Sequence, residues 1–324
     1  MSVIAVHTIT LNEEKNLPRW AASAEEADVL QIADTGSTDA TVDVADELGV
    51  EVTPIHVAPW RFDLARNAGL ALLPPEVDVV VTVDADEVLV PGWRAALEAA
   101  IADDSYARRW SYNYVWSWVE EGVPDVQFTA DRCYSREGWK WHGAVHEVLT
   151  PSASRGDLDA AAVPGGFGIE HYADDTKSRR SYLELLELAV REERDNPRQR
   201  FYLAREYNFA GRWEISRSTF VDYLAMPGAT WPAERAEAYR YLAKMDHHPE
   251  RWLLKAVAED PGRRDAVVDL VDLYVGQERW AEARGMAARA LAVRERPGDY
   301  MTGAHTWDDE RLIRVLDGTE QIDH

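Results

Sequence analysis

Residues 78–90, DVVVTVDADEVLV, decide how this chain reads. Residues 79–83 form a short β-branched run. It is long enough for a buried strand and far too short to cross a membrane. The run stops at Asp84, Ala85, Asp86 and Glu87. Three carboxylates at the C-terminal lip of a strand repel one another, so a positive group is expected beside them. A hard divalent cation fits, because such ions take one or two carboxylates together with substrate phosphates. In open α/β sheets, ligands also bind outside the carboxyl ends of the strands. A solvated acidic turn would explain the same four residues, so the flanking sequence has to decide.

Upstream, strand and helix patterns alternate. Residues 3–9 read as a first strand, followed by Asn12 as a candidate helix cap, with Glu13 and Glu14 in the first turn of a helix running to residue 27. Residues 29–33 read as a second strand, ending in the small polar turn DTGSTD at 34–39. A helix over 40–48, a strand over 50–55 and a helix from Phe62 towards Pro74 lead back to the acidic lip. This alternation predicts a mainly parallel sheet with crossover helices. There is no Gly-x-Gly-x-x-Gly and no Gly-Lys-Ser/Thr, so neither a dinucleotide fold nor a P-loop is supported.

Downstream, a helix is expected over 91–101, and 110–119, WSYNYVWSWV, alternates as a strand with one aromatic face. A short strand at 132–134 precedes WKWHGAVHEVL at 139–149. Residues 151–168 are poorly patterned and read as a loop or short hairpin, and IEHYADD at 169–175 closes this half.

The 324 residues suffice for two ordinary domains. A formal charge of −23 repels nucleic acid and anionic membranes at long range, so nucleic acid is an unexpected partner. A single cysteine, Cys133, excludes an internal disulfide and is compatible with a reducing compartment. The first residues lack the basic and apolar segments of a signal peptide, and no run approaches a membrane span. A cytoplasmic location is the expectation.

Six pieces in order, LNEEKNL (11–17), DTGSTD (34–39), ARN (65–67), DADE (84–87), GAVHE (143–147) and EHY (170–172), resemble the family 2 glycosyltransferases of the GT-A fold. The resemblance covers about the first 175 residues. It implies an α/β nucleotide-sugar-binding domain over 1–176, with a UDP-sugar the first choice of donor and Mn²⁺ or Mg²⁺ as cofactor. By position, Thr10, Glu13 and Asp34 would contact the base and ribose, and Arg66 the sugar or diphosphate. Asp84 and Asp86 would be the Asp-x-Asp pair, with Asp86 the direct ligand.

Sugar transfer from such a donor requires the departing diphosphate to be neutralised, the acceptor to lose a proton, and water to be excluded. Glu147 is the expected base, in a Trp- and His-rich stretch where burial would raise its pKa. His146 is the alternative, since its ordinary pKa already suits proton transfer. As neighbours in a strand the two would face opposite ways. His171 is either a third metal ligand or a structural histidine. The aromatics of 110–118 read mainly as core, whereas Trp139 and Trp141, close to the base, are the candidates for acceptor binding.

From residue 177 to 324 strand signals give way to amphipathic helices. YLAREYNFAGRWEISRS (202–218) and LVDLYVGQERWAEARGM (270–286) look alike, and their tryptophans, Trp213 and Trp280, lie about two repeats of ~34 residues apart, the tetratricopeptide period. The middle repeat is poor. This all-α, tetratricopeptide-like domain would bind the acceptor or form a homodimer. The leading reading is therefore an inverting, metal-dependent glycosyltransferase acting on a protein or peptide. A modified DNA base, polysaccharide or lipid acceptor, and a non-catalytic nucleotide-sugar-binding scaffold, are the competing readings.

Overall fold

The computed structural model describes residues 2–103, 108–152, 161–162, 166–173, 180–295 and 303–319. The chain divides into two compact units. One comprises Met1–Trp118 and Gln127–Ser178, the other Val119–Val126 and Arg179–His324. The expected domain boundary at 176/177 and most of the expected loop at 151–168 lie outside the described residues.

The first unit opens with β1 (Ile4–Thr10), α1 (Leu17–Ser23), β2 (Val29–Asp34), α2 (Thr41–Glu47), β3 (Glu51–Pro54), α3 (Phe62–Leu72), β4 (Val79–Thr82), β5 (Glu87–Leu89) and α4 (Trp93–Asp103). There follow β6 (Arg109–Val115), β7 (Trp118–Glu120), β8 (Val123–Pro124), β9 (Gln127–Ser135), β10 (Trp139–His142), β11 (Val148–Pro151), β12 (Ala161–Ala162) and β13 (Gly168–His171). The main sheet runs β3-β2-β1-β4-β9-β6-β13-β5, with β12 beside β6. β1, β2, β3 and β4 pair in parallel, as do β6 and β13. β9 is antiparallel to both β4 and β6, so β6 runs in the direction of β4. The fold is α/β with a mainly parallel sheet, as the alternation of patterns predicts.

β1 and β4 are buried on both faces, which is why they read as continuous apolar runs. Ile4, Val6 and Val81 pack with Trp20, Trp93 and Leu97 on one side, and Ala5 and Val80 with Leu70, Tyr134 and Trp141 on the other. Fully burying an aromatic side chain of this kind is worth about 2–3 kcal/mol. Trp20 also donates its indole N–H to the carbonyl of Val83 at 3.1 Å, which fixes the strand end immediately before Asp84.

Three local expectations change. Asn12 caps no helix: it adopts φ +59°, and α1 begins only at Leu17, with Pro18 in its first turn. The aromatic strand stops at Val115, and Trp116 leaves the sheet. Residues 143–147 form the turn of the β10–β11 hairpin, with His146 at φ +49°, so strand alternation does not separate His146 from Glu147.

The second unit contains eight α-helices among the described residues: α5 (Arg180–Glu192), α6 (Pro197–Phe209), α7 (Trp213–Ala225), α8 (Pro232–Lys244), α9 (Glu250–Glu259), α10 (Asp265–Gly276), α11 (Trp280–Ala292) and α12 (Asp309–Asp317). α6 packs on α7, α8 on α9 and α10 on α11, giving three helical hairpins whose first helices start 35 and 33 residues apart. The middle hairpin forms although its sequence signature is poor. Buried alanines such as Ala204, Ala238, Ala256 and Ala287 let the helix axes approach. The β7–β8 hairpin belongs to this unit, and Asp125, just beyond it, accepts a hydrogen bond from the Ala304 N–H at 2.8 Å.

Candidate active site

The C-terminal ends of β1, β2, β4, β6 and β13 share one rim of the sheet, because all five strands run the same way. That rim gathers Thr10, Asp34, Asp84, Asp86 and His171.

The loops after β1 and β2 are laced together. Thr10 Oγ1 donates to Asp34 Oδ1 at 3.0 Å, and the N–H groups of Gly36 and Ser37 donate to Asp34 Oδ2, each at 3.0 Å. Asn12 Oδ1 accepts from the N–H of Thr38 at 2.8 Å, and Glu14, in the loop after β1, accepts from the N–H of Ala40 just before α2 at 2.9 Å. Glu13 is buried; its N–H donates to Thr41 Oγ1, and its carboxylate accepts from Asn16. Thr10, Glu13 and Asp34 thus form a stiff floor at the β1–β2 end of the rim.

The acidic turn is held by arginines. Asp84 is bound by Arg66 at 2.8 Å and by Arg132 at 3.0 Å. Arg132, which sequence reasoning missed, also reaches Glu87 Oε1 at 2.5 Å. Glu87 accepts further bonds from the Tyr114 hydroxyl at 2.6 Å and the Asp84 N–H at 2.7 Å. Although burial opposes ionisation of Asp84, the two guanidiniums hold its carboxyl well below the usual range. Burial pushes Glu87 the other way, upward, against the pull of Arg132. A carboxylate set between two cations is a poor first ligand for another cation, which sets Asp84 apart from Asp86.

Asp86 is brought to His171 by backbone pairing. β13 lies antiparallel on β5 with His171 opposite Glu87, and the Tyr172 N–H donates to the Asp86 carbonyl at 2.9 Å. His171 Nδ1 lies 2.9 Å from the carbonyl of Trp116. A carbonyl only accepts, so Nδ1 carries the proton and Nε2 turns towards Asp86 Oδ2, 3.6 Å away. Burial disfavours the imidazolium, but Asp86 and the Trp116 carbonyl outweigh it and raise the pKa of His171. A histidine tethered through Nδ1 with Nε2 turned to a carboxylate could hold a metal ion. Among the described residues no group of three His, Cys, Asp or Glu side chains forms a metal cage. Two protein ligands completed by phosphate oxygens and water nevertheless fit Mg²⁺ or Mn²⁺.

Arg66 lies on α3, in the ARN segment. Its Nε donates to Glu147 Oε1, its plane lies 5.1 Å above the Trp141 ring, and its buried Nη1 has no hydrogen-bond partner. Asn67 explains why Glu147 meets Arg66: its side-chain amide donates to the Trp141 carbonyl and accepts from the Trp141 N–H, both at 2.8 Å. Asn67 thereby acts as an extra strand residue that docks the β10–β11 hairpin on α3. Asp63 adds a bond from the Gly143 N–H at 3.0 Å.

Trp139 and Trp141 are only 5% and 3% exposed, so they are core residues and cannot wall an acceptor groove. The Trp141 indole donates to the Tyr134 hydroxyl at 3.1 Å. His146 sits in the hairpin turn next to Glu147.

The model of "Glycosyl transferase family 2" matches residues 5–138. That match covers the strands and helices from β1 to the end of β9. No curated protein matches the chain. Among solved structures, the chain is similar to glucosyl-3-phosphoglycerate synthase from Mycobacterium tuberculosis, crystallised with Mg²⁺ and uridine diphosphate. The likeness shows 25% identity over 35% of this chain and 44% of that one, with a TM-score of 0.31. It is also similar to S. aureus TarS, with 14% identity over 80% of this chain and 53% of that one and a TM-score of 0.42. The chain therefore spans about half the length of these proteins.

Proposed function

We propose that this protein is an inverting, metal-dependent glycosyltransferase that moves a sugar from a nucleotide-sugar, a UDP-sugar first, to a protein or peptide side chain. One observation carries the reading. Asp86 and an Nδ1-tethered His171 face each other on the rim of the sheet that the family 2 model matches as far as β9, beside an arginine-clamped Asp84.

On this reading Asp86 and His171 hold Mn²⁺ or Mg²⁺, which when bound supplies positive charge to the leaving diphosphate. Asp84 orients Arg66, whose unpaired Nη1 donates to a diphosphate oxygen. Thr10, Glu13 and Asp34 form the nucleoside floor. Glu147 accepts the proton of the acceptor hydroxyl, and Arg66 fixes the direction of its carboxylate. His146 is the alternative base. The tetratricopeptide-like hairpins hold the acceptor, for which the exposed Phe209, Trp213 and Ile215 offer apolar contact.

Thermal unfolding with UDP and Mn²⁺ tests the donor site. A ligand at 100 times its Kd adds about 2.7 kcal/mol of apparent stability. Asp86→Ala and His171→Ala are expected to abolish the Mn²⁺-dependent part of the shift. An unchanged shift in both variants removes the metal assignment. Glu147→Gln should lower kcat roughly 10²–10⁴-fold with little change in donor affinity; equal loss of both would make Glu147 structural.

A further inference from the structure

Trp116 lies on the same rim, and its ring, unlike its carbonyl, has no part in the chemistry described so far. It follows the C-terminal end of β6 and is 43% exposed, a large apolar ring left partly in solvent. It is also held in place. One face stacks on the His171 ring at 4.6 Å and 15°, while its carbonyl binds His171 Nδ1. Tyr114 flanks it at 6.3 Å. A fixed, exposed indole against a metal-binding histidine presents a flat apolar face at little entropic cost on binding.

The contact with His171 indicates what meets that face. Across the sheet the sequence is β2, β1, β4, β9, β6, β13. The nucleoside floor sits on β1 and β2, and the metal pair sits between the lip of β4 and the end of β13. Trp116 follows β6, the strand next to β13, and so lies within the span of the metal pair. A nucleotide-sugar laid along this rim in its covalent order places its nucleoside at β1–β2 and its diphosphate at the metal. Its sugar, joined directly to the diphosphate, then lies beside the metal pair, where the Trp116 ring stacks on His171. A pyranose has one face of C–H groups, weakly positive and apolar, which packs on the electron-rich face of an aromatic ring.

We infer that the exposed face of Trp116 is the subsite for the transferred sugar of the donor. The inference rests on the donor-site reading above. It makes Trp116 a determinant of sugar affinity and leaves nucleotide affinity to the β1–β4 side.

The test compares dissociation constants, by calorimetry with Mn²⁺ present, for UDP and for whichever of UDP-glucose and UDP-N-acetylglucosamine the wild type binds more tightly. Trp116→Ala is expected to weaken the UDP-sugar about 5- to 10-fold while UDP stays within twofold. Trp116→Phe, which keeps an aromatic face, is expected to retain most of the affinity. Equal weakening of UDP and UDP-sugar overturns the inference, since the ring would then only support His171. Unchanged affinity for both overturns it too, since the sugar would lie elsewhere. A wild type that binds neither UDP nor its sugars brings down the donor site and this subsite together.

Discussion

Arg132 shows how one side chain can hold a site that it does not advertise. Its partners, Asp84 and Glu87, lie 48 and 45 residues away, and a single arginine in a strand gives no local signal. Glu87 is 2% exposed, so removing its guanidinium strands a buried carboxylate. Arg132→Gln should cost about 3–5 kcal/mol in urea unfolding, with part recovered by adding Glu87→Gln; a cost below 1 kcal/mol would show that the pair is not desolvated. His7 is a second buried group. Its ring nitrogens have no hydrogen-bond partner, and Gly69 makes room for it: a Cβ there would lie 2.3 Å from the ring. Burial, helped by Arg66, lowers the His7 pKa to about 4. The unfolded chain therefore binds more protons between pH 6.5 and 4, and stability falls as pH falls through that window. Between pH 7 and 5 the loss should be about 2 kcal/mol. His7→Leu should flatten that part of the pH dependence, and an unaltered slope would assign the effect to other groups.

At the level of elements, the backbone of the β10–β11 hairpin is tied to α3 through Asn67 and Asp63. Asn67→Ala removes both bonds to the Trp141 backbone and leaves a buried amide and carbonyl unsatisfied. The expected cost is roughly 1–3 kcal/mol, with faster hydrogen exchange at the Trp141 amide. Protection equal to wild type would show that β11 alone holds the hairpin. These elements were legible to different degrees. The parallel strands announced themselves because burial on both faces leaves only β-branched and small residues, interrupted where an acidic group meets the rim. The helices of the second unit were legible from their period. Asn12 and His146 were misread because left-handed backbone conformations follow from tertiary bonds, such as Asn12 to Thr38, that no local pattern encodes. For Trp139 and Trp141, closeness to Glu147 along the chain says nothing of burial, and their rings fill the layer under α3. The Asp86–His171 pairing was legible as a candidate but depends on β13 docking against β5.

For the molecule as a whole, the −23 charge makes nucleic acid a poor partner, and binding of the protein to DNA at physiological salt should be undetectable by mobility shift. The two units are not consecutive in sequence: 119–126 lies within the first stretch but packs with the second unit. A fragment ending at residue 178 therefore keeps the β7–β8 hairpin without the helices it packs with. A glutamate-specific protease should cut such a fragment at Glu120–Glu121 faster than the intact protein; equal rates would mean that the hairpin needs no helices to be protected. The same arrangement constrains how the protein is made. Asp125 leaves the ribosome 179 residues ahead of Ala304. At the usual pace of translation that is a wait of roughly 10–35 s. Over that interval the β7–β8 segment waits for its partner, so completion of the helical unit is tied to a piece synthesised long before it.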